Sequence, residues 1–124
     1  MAELVEGRHA AEFVLSEASR QRSRENGTVV TGQNLKAGTV VQDDGTGKLT
    51  EFTAAEATDG SLIDEAVGIL LYDADATSAD VDVSYIAREA EVNLKILTYP
   101  AESTAGGEEA HTIASLKKLQ IIAR

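Results

Sequence analysis

The sequence predicts a compact, mainly β domain (a small α+β fold) of short strands, with one C-terminal helix and an extended N-terminal arm. From residue 28 onward, short apolar runs alternate with turns rich in glycine and polar residues, which is typical of small β domains. Only residues 108–118 have the spacing of an amphipathic helix. Aromatic residues make up 4% of the 124 residues and Trp is absent, so the core is expected to be aliphatic, as suits a β-rich module.

Residues 1–25 form the predicted arm, and residues 26–124 form the predicted β domain. The arm is charged and nearly free of glycine, and its short apolar cluster is Phe13-Val14-Leu15. Because a lone apolar triplet buries too little surface to fold, we expect the arm to be disordered when free and ordered when docked. We also expect the domain to fold without it. In a docked strand, Phe13 and Leu15 would face one side and Val14 the other.

The predicted strands are short and are joined by turns. Residues 43–48, D-D-G-T-G-K, predict a hairpin connection, because glycine adopts the positive φ that tight turns need. The most apolar run, 65–72, predicts the central strand. Apolar and polar residues alternate over 80–85 and 91–96, which predicts two half-buried strands. The full set is 28–31, 39–41, 49–53, 65–72, 80–85, 91–96 and 119–123.

The remaining segments are predicted as one helix and several connections. The helix at 108–118 has two Glu residues in its first turn and two Lys residues in its last, which matches the helix dipole at both ends. Residues 32–38 are predicted as turns, 73–80 as a polar turn between two strands, and 101–107 as a loop.

The charge distribution argues against nucleic acid as a partner. The net charge is −10, and residues 43–82 hold eleven acidic residues and one basic residue. Affinity for nucleic acid comes largely from Lys and Arg that neutralise phosphates, so this surface repels it. We interpret it as a solvated face that keeps the protein soluble, with a basic partner as the alternative. No apolar run is long enough for a membrane span or a signal peptide, so we expect no membrane partner and no export.

No pattern in the sequence indicates catalysis. G-T-G-K at 45–48 lacks the spacing of a phosphate-binding loop. The aspartates of 73–80 have calcium-like spacing, but the Gly and Glu of a tight calcium loop are absent. The chain has no Cys, and His9 and His111 are its two imidazoles, neither within a recognised catalytic pattern. We therefore expect no enzymatic activity, no cofactor and no metal.

Several short segments follow one another in a characteristic order. They are S-R-E at the end of the arm, G-Q-N-L-K-A-G-T-V-V at 32–41, G-K-L at 47–49, D-G at 59–60 before A-V-G-I-L at 66–70, Tyr85, Arg88, and V-N-L-K-I-L-T-Y-P at 92–100, then a terminal helix and strand. In this order and spacing they resemble the lambda-type head decoration protein family of bacteriophages, over most of the chain.

The resemblance implies a β-clip-like fold and a protein that decorates phage capsids. It implies homotrimers at three-fold and quasi-three-fold positions on the outer surface of an expanded head, after synthesis in the host cytoplasm. The partner would be the major capsid protein of the same phage. The arm would add a strand to that protein, with main-chain hydrogen bonds supplying affinity.

Two sets of candidate residues follow from this interpretation. The capsid-binding arm would use Phe13, Val14, Leu15, Arg20, Arg22 and Arg24. The three arginines would face an acidic capsid surface, with a solvated linker as the alternative. The core and fold residues would be Leu35, Gly38, Val67, Gly68, Ile69, Val83, Tyr85, Leu94, Ile96 and Pro100.

Two other function classes stay open at the level of the sequence. A cellular acidic β-rich adaptor or carbohydrate-binding module would bind its ligand as a monomer and would have no use for the arm. A small hydrolase would need a pair of carboxylates with separated pKa values, which the sequence does not single out. A mass measurement and an activity screen distinguish these classes from a trimeric decoration protein.

Overall fold

The computed structural model describes residues 9–56, 58–59, 61–101 and 106–124, without the side chains of residues 20 and 21. It confirms a compact, mainly β domain with a helix near the C-terminus. The described strands are β1 (Val14–Glu17), β2 (Arg24–Val29), β3 (Gln33–Leu35), β4 (Val40–Asp43), β5 (Leu49–Glu51), β6 (Ala66–Leu70), β7 (Ala74–Ala76), β8 (Val81–Ile86), β9 (Ala90–Val92) and β10 (Ile121–Ala123). The helices are α1 (Arg20–Ser23) and α2 (Glu108–Lys118), and Leu94–Ile96 forms a 3₁₀ turn.

Five strands close into a barrel in the order β2-β5-β4-β6-β8. The connection predicted at 43–48 joins the antiparallel strands β4 and β5. β6 is a central strand, as predicted, because it pairs with both β4 and β8. The barrel closes along β2 and β8, whose register runs from Arg24 opposite Ile86 to Val29 opposite Val81.

Gly68 permits the close approach of β6 to β8. A Cβ atom at this position would lie 2.3 Å from the carbonyl oxygen of Ile86 and 2.5 Å from a ring carbon of Tyr85. The backbone oxygen cannot move aside without disturbing the β6–β8 pairing, so only glycine fits. Tyr85 covers this position with a half-buried ring, and burial raises the pKa of its hydroxyl group above the usual value.

Two smaller sheets lie outside the barrel. β3 and β7 form an antiparallel pair, and β1, β9 and β10 form a three-stranded sheet with β9 in the middle. The core divides accordingly into two clusters. One joins the barrel to the three-stranded sheet and α2, and its buried members are Phe13, Val40, Phe52, Ala54, Ala66, Ile69, Leu71, Ile86, Ala90, Val92, Leu97, Leu116 and Ile121. The other joins the barrel to the β3–β7 pair, through Val29, Leu35, Val41, Leu49, Leu70, Ala74, Ala76 and Val83.

α2 has the bounds that the sequence predicts, and a polar network fixes it to the start of β6. The backbone N–H of Ala66 donates to the hydroxyl oxygen of Ser115 at 2.8 Å, and that hydroxyl donates to the carboxylate of Glu65. Lys118 Nζ donates to the same carboxylate at 2.6 Å. The hydrogen bond from Lys118 is the main reason that the pKa of Glu65 lies below its usual value.

The predicted strand over 91–96 is wrong in its second half. β9 ends at Val92, and Leu94–Ile96 forms the 3₁₀ turn. The side chain of Asn93 accepts a hydrogen bond from the backbone N–H of Lys95 at 3.1 Å, which offers the backbone an alternative to the sheet. Leu94 and Ile96 nevertheless pack against the first core cluster.

Two segments predicted as turns contain strands. β3 lies within 32–38 and β7 within 73–80, and they pair with Leu35 opposite Ala74. All three apolar residues of this pair, Leu35, Ala74 and Ala76, are buried. β7 alternates small Ala and polar Asp residues over only three positions, so nothing local distinguishes it from a turn.

The expected packing of the N-terminal segment also differs from the structure. Phe13 is buried with 2% of its surface exposed, and the backbone N–H of Ala11 donates to the carbonyl oxygen of Leu71 at 2.7 Å. The expectation that the triplet cannot bury itself is therefore wrong for Phe13, because the partner surface is the chain's own barrel. Likewise, β2 starts at Arg24, four residues before the strand predicted at 28–31.

The predicted fold residues lie in or beside the two clusters. Those that are buried are Leu35, Gly38, Gly68, Ile69 and Val83, and those that are half-buried are Val67, Tyr85, Leu94, Ile96 and Pro100. Residues 1–8 of the predicted arm, Gly60 of the D-G segment and residues 102–105 of the predicted loop lie outside the described residues.

Candidate functional site

The three-stranded sheet brings the two ends of the described chain together. β9 pairs antiparallel with β1 and parallel with β10. In the described part of the chain, no strand pairs with the outer edge of β1 or of β10. Unpaired N–H and C=O groups along such edges can accept a further strand from another chain.

The two faces of this sheet differ in character. The inner face belongs to the core through Val92, Ala90 and Ile121. On the outer face, the register aligns Ser16 and Ile122 with Glu91. Glu91 accepts a hydrogen bond from Arg124 Nε at 2.7 Å, and Ile122 is 36% exposed. The outer face therefore presents the apolar side chain of Ile122 beside a surface ion pair.

β1 is held firmly, although it is an edge strand. Phe13 places its ring in the core, while its carbonyl oxygen accepts a hydrogen bond from the N–H of Asn93 at 2.8 Å. At the other end, the N–H of Ala18 donates to the carbonyl oxygen of Glu89 at 3.0 Å. Burial of an aromatic side chain stabilises by about 1.5–3 kcal/mol, so Phe13 is the main anchor of the strand.

Leu15 is the exposed apolar residue of β1. The register is irregular between Val14 and Ser16, and Leu15 has no opposite residue on β9. Its side chain is 55% exposed, in contrast to that of Phe13. The structure therefore separates the predicted triplet: Phe13 is buried, Val14 packs against the core and Leu15 faces outward. In the domain by itself, Phe13 and Leu15 do not share a face, because the bulge interrupts the alternation; their placement in a docked strand stays a prediction.

The arginines of the segment are engaged within the chain. Arg24 donates from Nη2 and Nε to the two carboxylate oxygens of Glu17, at 2.6 and 3.2 Å. The hydroxyl of Ser23 also donates to Glu17, at 2.6 Å, so the carboxylate joins β1 to α1 and β2. Arg22 is exposed and pairs with Glu89 at 3.3 Å. The side chain of Arg20 lies outside the described residues.

The second open edge has an apolar groove beside it. Between α2 and β10, a groove of about 210 Å³ is lined by Ile113, Lys117 and the three residues of β10. Neither this groove nor Ile122 was predicted from the sequence. The doublet Ile121-Ile122 could have indicated an exposed apolar residue here. In a strand with one buried face, one of two successive residues must point outward.

The acidic region 43–82 is spread over turns and strand ends. Lys48 donates to Asp80 at 2.7 Å, and this hydrogen bond is the main reason that the pKa of Asp80 is lowered. In the segment with calcium-like spacing, Asp75 accepts from the backbone and hydroxyl of Thr77, and Asp73 accepts from the N–H of Ala37 at 2.8 Å. Asp75 therefore caps its own turn, whereas Asp73 joins this segment to the residues that follow β3.

Neither histidine lies in an arrangement typical of catalysis. His111 Nε2 contacts Glu56 Oε1 at 2.6 Å at the start of α2, and the backbone N–H of His9 donates to Glu12 at 3.1 Å. Among the described residues, no group of three or more His, Asp or Glu side chains is arranged to hold a metal ion. No described helix has the length and apolar character needed to cross a membrane.

Comparison with known proteins identifies a family resemblance over nearly the whole chain. Residues 3–121 match the family model of bacteriophage lambda head decoration protein D. No curated protein sequence matches the chain significantly.

Proposed function

The chain belongs to the family of bacteriophage lambda head decoration protein D, and from this premise we propose that it coats the outer surface of an expanded phage head as a homotrimer. As a head decoration protein, it is a structural component of the virion that binds a phage capsid. We propose the major capsid protein of the same phage as its partner, after synthesis in the host cytoplasm. The family match over residues 3–121 carries this proposal.

The proposed docking mechanism is strand addition at the N-terminal segment. The outer edge of β1 has no strand partner among the described residues, and the side chain of Leu15 is exposed. An extended segment of the capsid protein that pairs with this edge would extend the sheet β1-β9-β10 by one strand. Main-chain hydrogen bonds would supply the affinity, and Leu15 would pack against an apolar side chain of the added strand.

Phe13 and Leu15 have different roles in this mechanism. Phe13 holds β1 on the domain, so the edge is already ordered before docking. Ordering a free arm on the capsid would cost conformational entropy, and a preformed edge avoids most of that cost. Arg22 is exposed and pairs with Glu89, so a capsid carboxylate would have to replace Glu89 as its partner, whereas Arg24 is bound to Glu17 by two hydrogen bonds.

Trimerisation would raise the affinity further. One added strand is a small contact, and small contacts bind weakly. Three such edges on one trimer raise the effective concentration of the second and third contacts, which multiplies affinity by about a hundredfold or more. The shell gains stability by the same linkage, because the trimer binds the expanded lattice and not its dissociated subunits.

The substitution Leu15→Asp tests the mechanism, with Ile63→Asp as its matched control. Ile63 is 61% exposed and lies outside the three-stranded sheet, so both changes place a charge at an exposed apolar position. Loss of one buried Leu contact costs about 1.5–3 kcal/mol per edge, or about tenfold or more in affinity. We expect Leu15→Asp to reduce occupancy of undecorated expanded shells in a sedimentation assay, and Ile63→Asp to bind like the wild type.

Three controls make this comparison decisive. Circular dichroism and thermal melts should show that both variants fold, since both positions are exposed. Light scattering should show the same mass for both variants, so that a loss of trimers is not mistaken for a loss of docking. Equal occupancy of the two variants on the shell would contradict strand addition at β1, while leaving family membership intact.

A further inference from the structure

The outer face of β2 and β8 carries a polar groove that the proposed docking mechanism does not use. It has a volume of about 380 Å³ and is lined by Asn26, Gly27 and Thr28 of β2, Asp82, Val83 and Ser84 of β8, and Tyr72. This volume lies within the range of about 300–1,000 Å³ that is typical of small-molecule sites. The groove is open on one side, so a ligand would bind on a surface rather than in an enclosed cavity.

The register of the two strands places four polar side chains on one face. Asn26 is opposite Ser84, and Thr28 is opposite Asp82, while Val83 between them is buried on the inner face. Ser84 Oγ donates to Asn26 Oδ1 at 2.9 Å, and Thr28 Oγ1 donates to Asp82 Oδ1 at 3.2 Å. Each hydrogen bond fixes the amide or carboxylate group in one orientation.

These two groups keep free hydrogen-bonding capacity. Within the described residues, Asn26 Nδ2 and Asp82 Oδ2 have no protein partner. The amide nitrogen has two N–H donors, and the carboxylate oxygen is a strong acceptor. The amide N–H donors of Asn26 and the carboxylate acceptor of Asp82 therefore lie on the same face. One Gly27–Val83 pair separates their positions in the register.

Tyr72 adds an apolar surface at the side of the groove. Its ring is 40% exposed, and its hydroxyl oxygen accepts a hydrogen bond from the backbone N–H of Ser84 at 3.0 Å. The hydrogen bond holds the ring beside β8, where β6 has ended. An aromatic side chain with one polar end tied down is a rigid, amphipathic contact surface.

We propose that this groove binds a neutral saccharide, with Asn26 and Asp82 holding hydroxyl groups at separate positions of the sugar and Tyr72 packing against the C–H face of the ring. A sugar hydroxyl both donates and accepts, so one hydroxyl can accept from the amide N–H of Asn26 while another donates to the carboxylate of Asp82. Sugar rings also have apolar C–H faces that pack on aromatic side chains. None of the described residues that line the groove is Lys or Arg, and Asp82 repels anions, so phosphates and acidic sugars do not fit.

The inference is independent of the docking mechanism, because it concerns different strands and a different ligand. An open groove with two fixed polar groups and one ring supports weak binding, with a Kd of about 1 mM per site. A trimer would carry three such grooves, so a surface with many copies of the sugar would be bound more tightly than the free sugar.

The test is a titration of the full-length ¹⁵N-labelled protein with methyl glycosides of glucose, galactose, mannose and N-acetylglucosamine, followed by NMR. We expect at least one glycoside to cause saturable shifts of the amide signals of Asn26, Thr28 and Ser84. Asn26→Ala and Tyr72→Ala should each weaken binding about tenfold or more. Tyr72→Phe keeps the ring, and should bind within about threefold of the wild type. Glu51→Gln, an exposed change of charge on β5, should bind normally.

Two outcomes would overturn the proposal. One is the absence of any saturable shift with all four glycosides at about 100 mM, a hundred times the expected Kd. The other is binding that Asn26→Ala and Tyr72→Ala leave unchanged in folded protein, which would move the ligand elsewhere. If Tyr72→Ala fails to fold, the comparison of Asn26→Ala with Glu51→Gln decides the same question, because both positions are exposed.

Discussion

Replacing Phe13 with Ala tests whether the N-terminal segment belongs to the folded domain. Phe13 is 2% exposed and packs among the barrel, β9 and α2. Truncation of a buried Phe to Ala costs about 3–5 kcal/mol, as lost transfer free energy plus the cavity that remains. For a domain of this size, 1 kcal/mol shifts the Tm by about 3–5 °C, so we expect the Tm to fall by about 10–20 °C.

Leu15→Ala is the matched control for this measurement. It removes an apolar side chain two residues away, but that side chain is 55% exposed, so the change in unfolding free energy should be about 0.5 kcal/mol or less. Melts should be compared at one protein concentration, because self-association makes the Tm depend on concentration. A small and equal effect of both substitutions would refute the reasoning, since it would mean that Phe13 leaves the core in solution.

Two further predictions concern contacts within the domain. Gly68→Ala should destabilise by about 1–3 kcal/mol or abolish folding in a urea titration, because the new Cβ would press on the backbone oxygen of Ile86; wild-type stability would contradict the close approach. Glu65→Gln should lower stability at neutral pH and converge with the wild type in acid, as melts from about pH 3 to 7 would show. The sign follows from the lowered pKa: the stabilising contribution is present above the ordinary value of 4.5 and is lost as the pH falls through the folded-state pKa. A constant difference across that range would contradict the bond to Lys118.

The sequence predicted the elements whose signals are local. The 43–48 hairpin and α2 depend on glycine conformations and on helix periodicity, both of which are read within a few residues. The central position of β6 followed from its apolar composition. β3 and β7 were missed because each is short and is stabilised mainly by the other, across about 40 residues of chain.

In the candidate site, the packing of the N-terminal segment was also not predicted, because it depends on distant residues. The composition of residues 1–25 is typical of a disordered arm, and nothing within it identifies a partner for Phe13. That partner is an assembly of distant residues from β9, α2 and the barrel. Removal of residues 1–25 is therefore expected to weaken the domain itself, contrary to the expectation from sequence, because it removes Phe13 and all of β1. Leu15, by contrast, is exposed, and its contact with the capsid stays a prediction.

The most direct test of capsid docking through β1 is a cryo-electron microscopy reconstruction of expanded shells saturated with the wild-type protein. We expect a strand of the capsid protein along the outer edge of β1, with Leu15 at the contact and Phe13 still in the core of the domain. Density in which β1 has left β9, with Phe13 inserted into the capsid protein, would contradict it, as would contact through another face with the edge of β1 open to solvent.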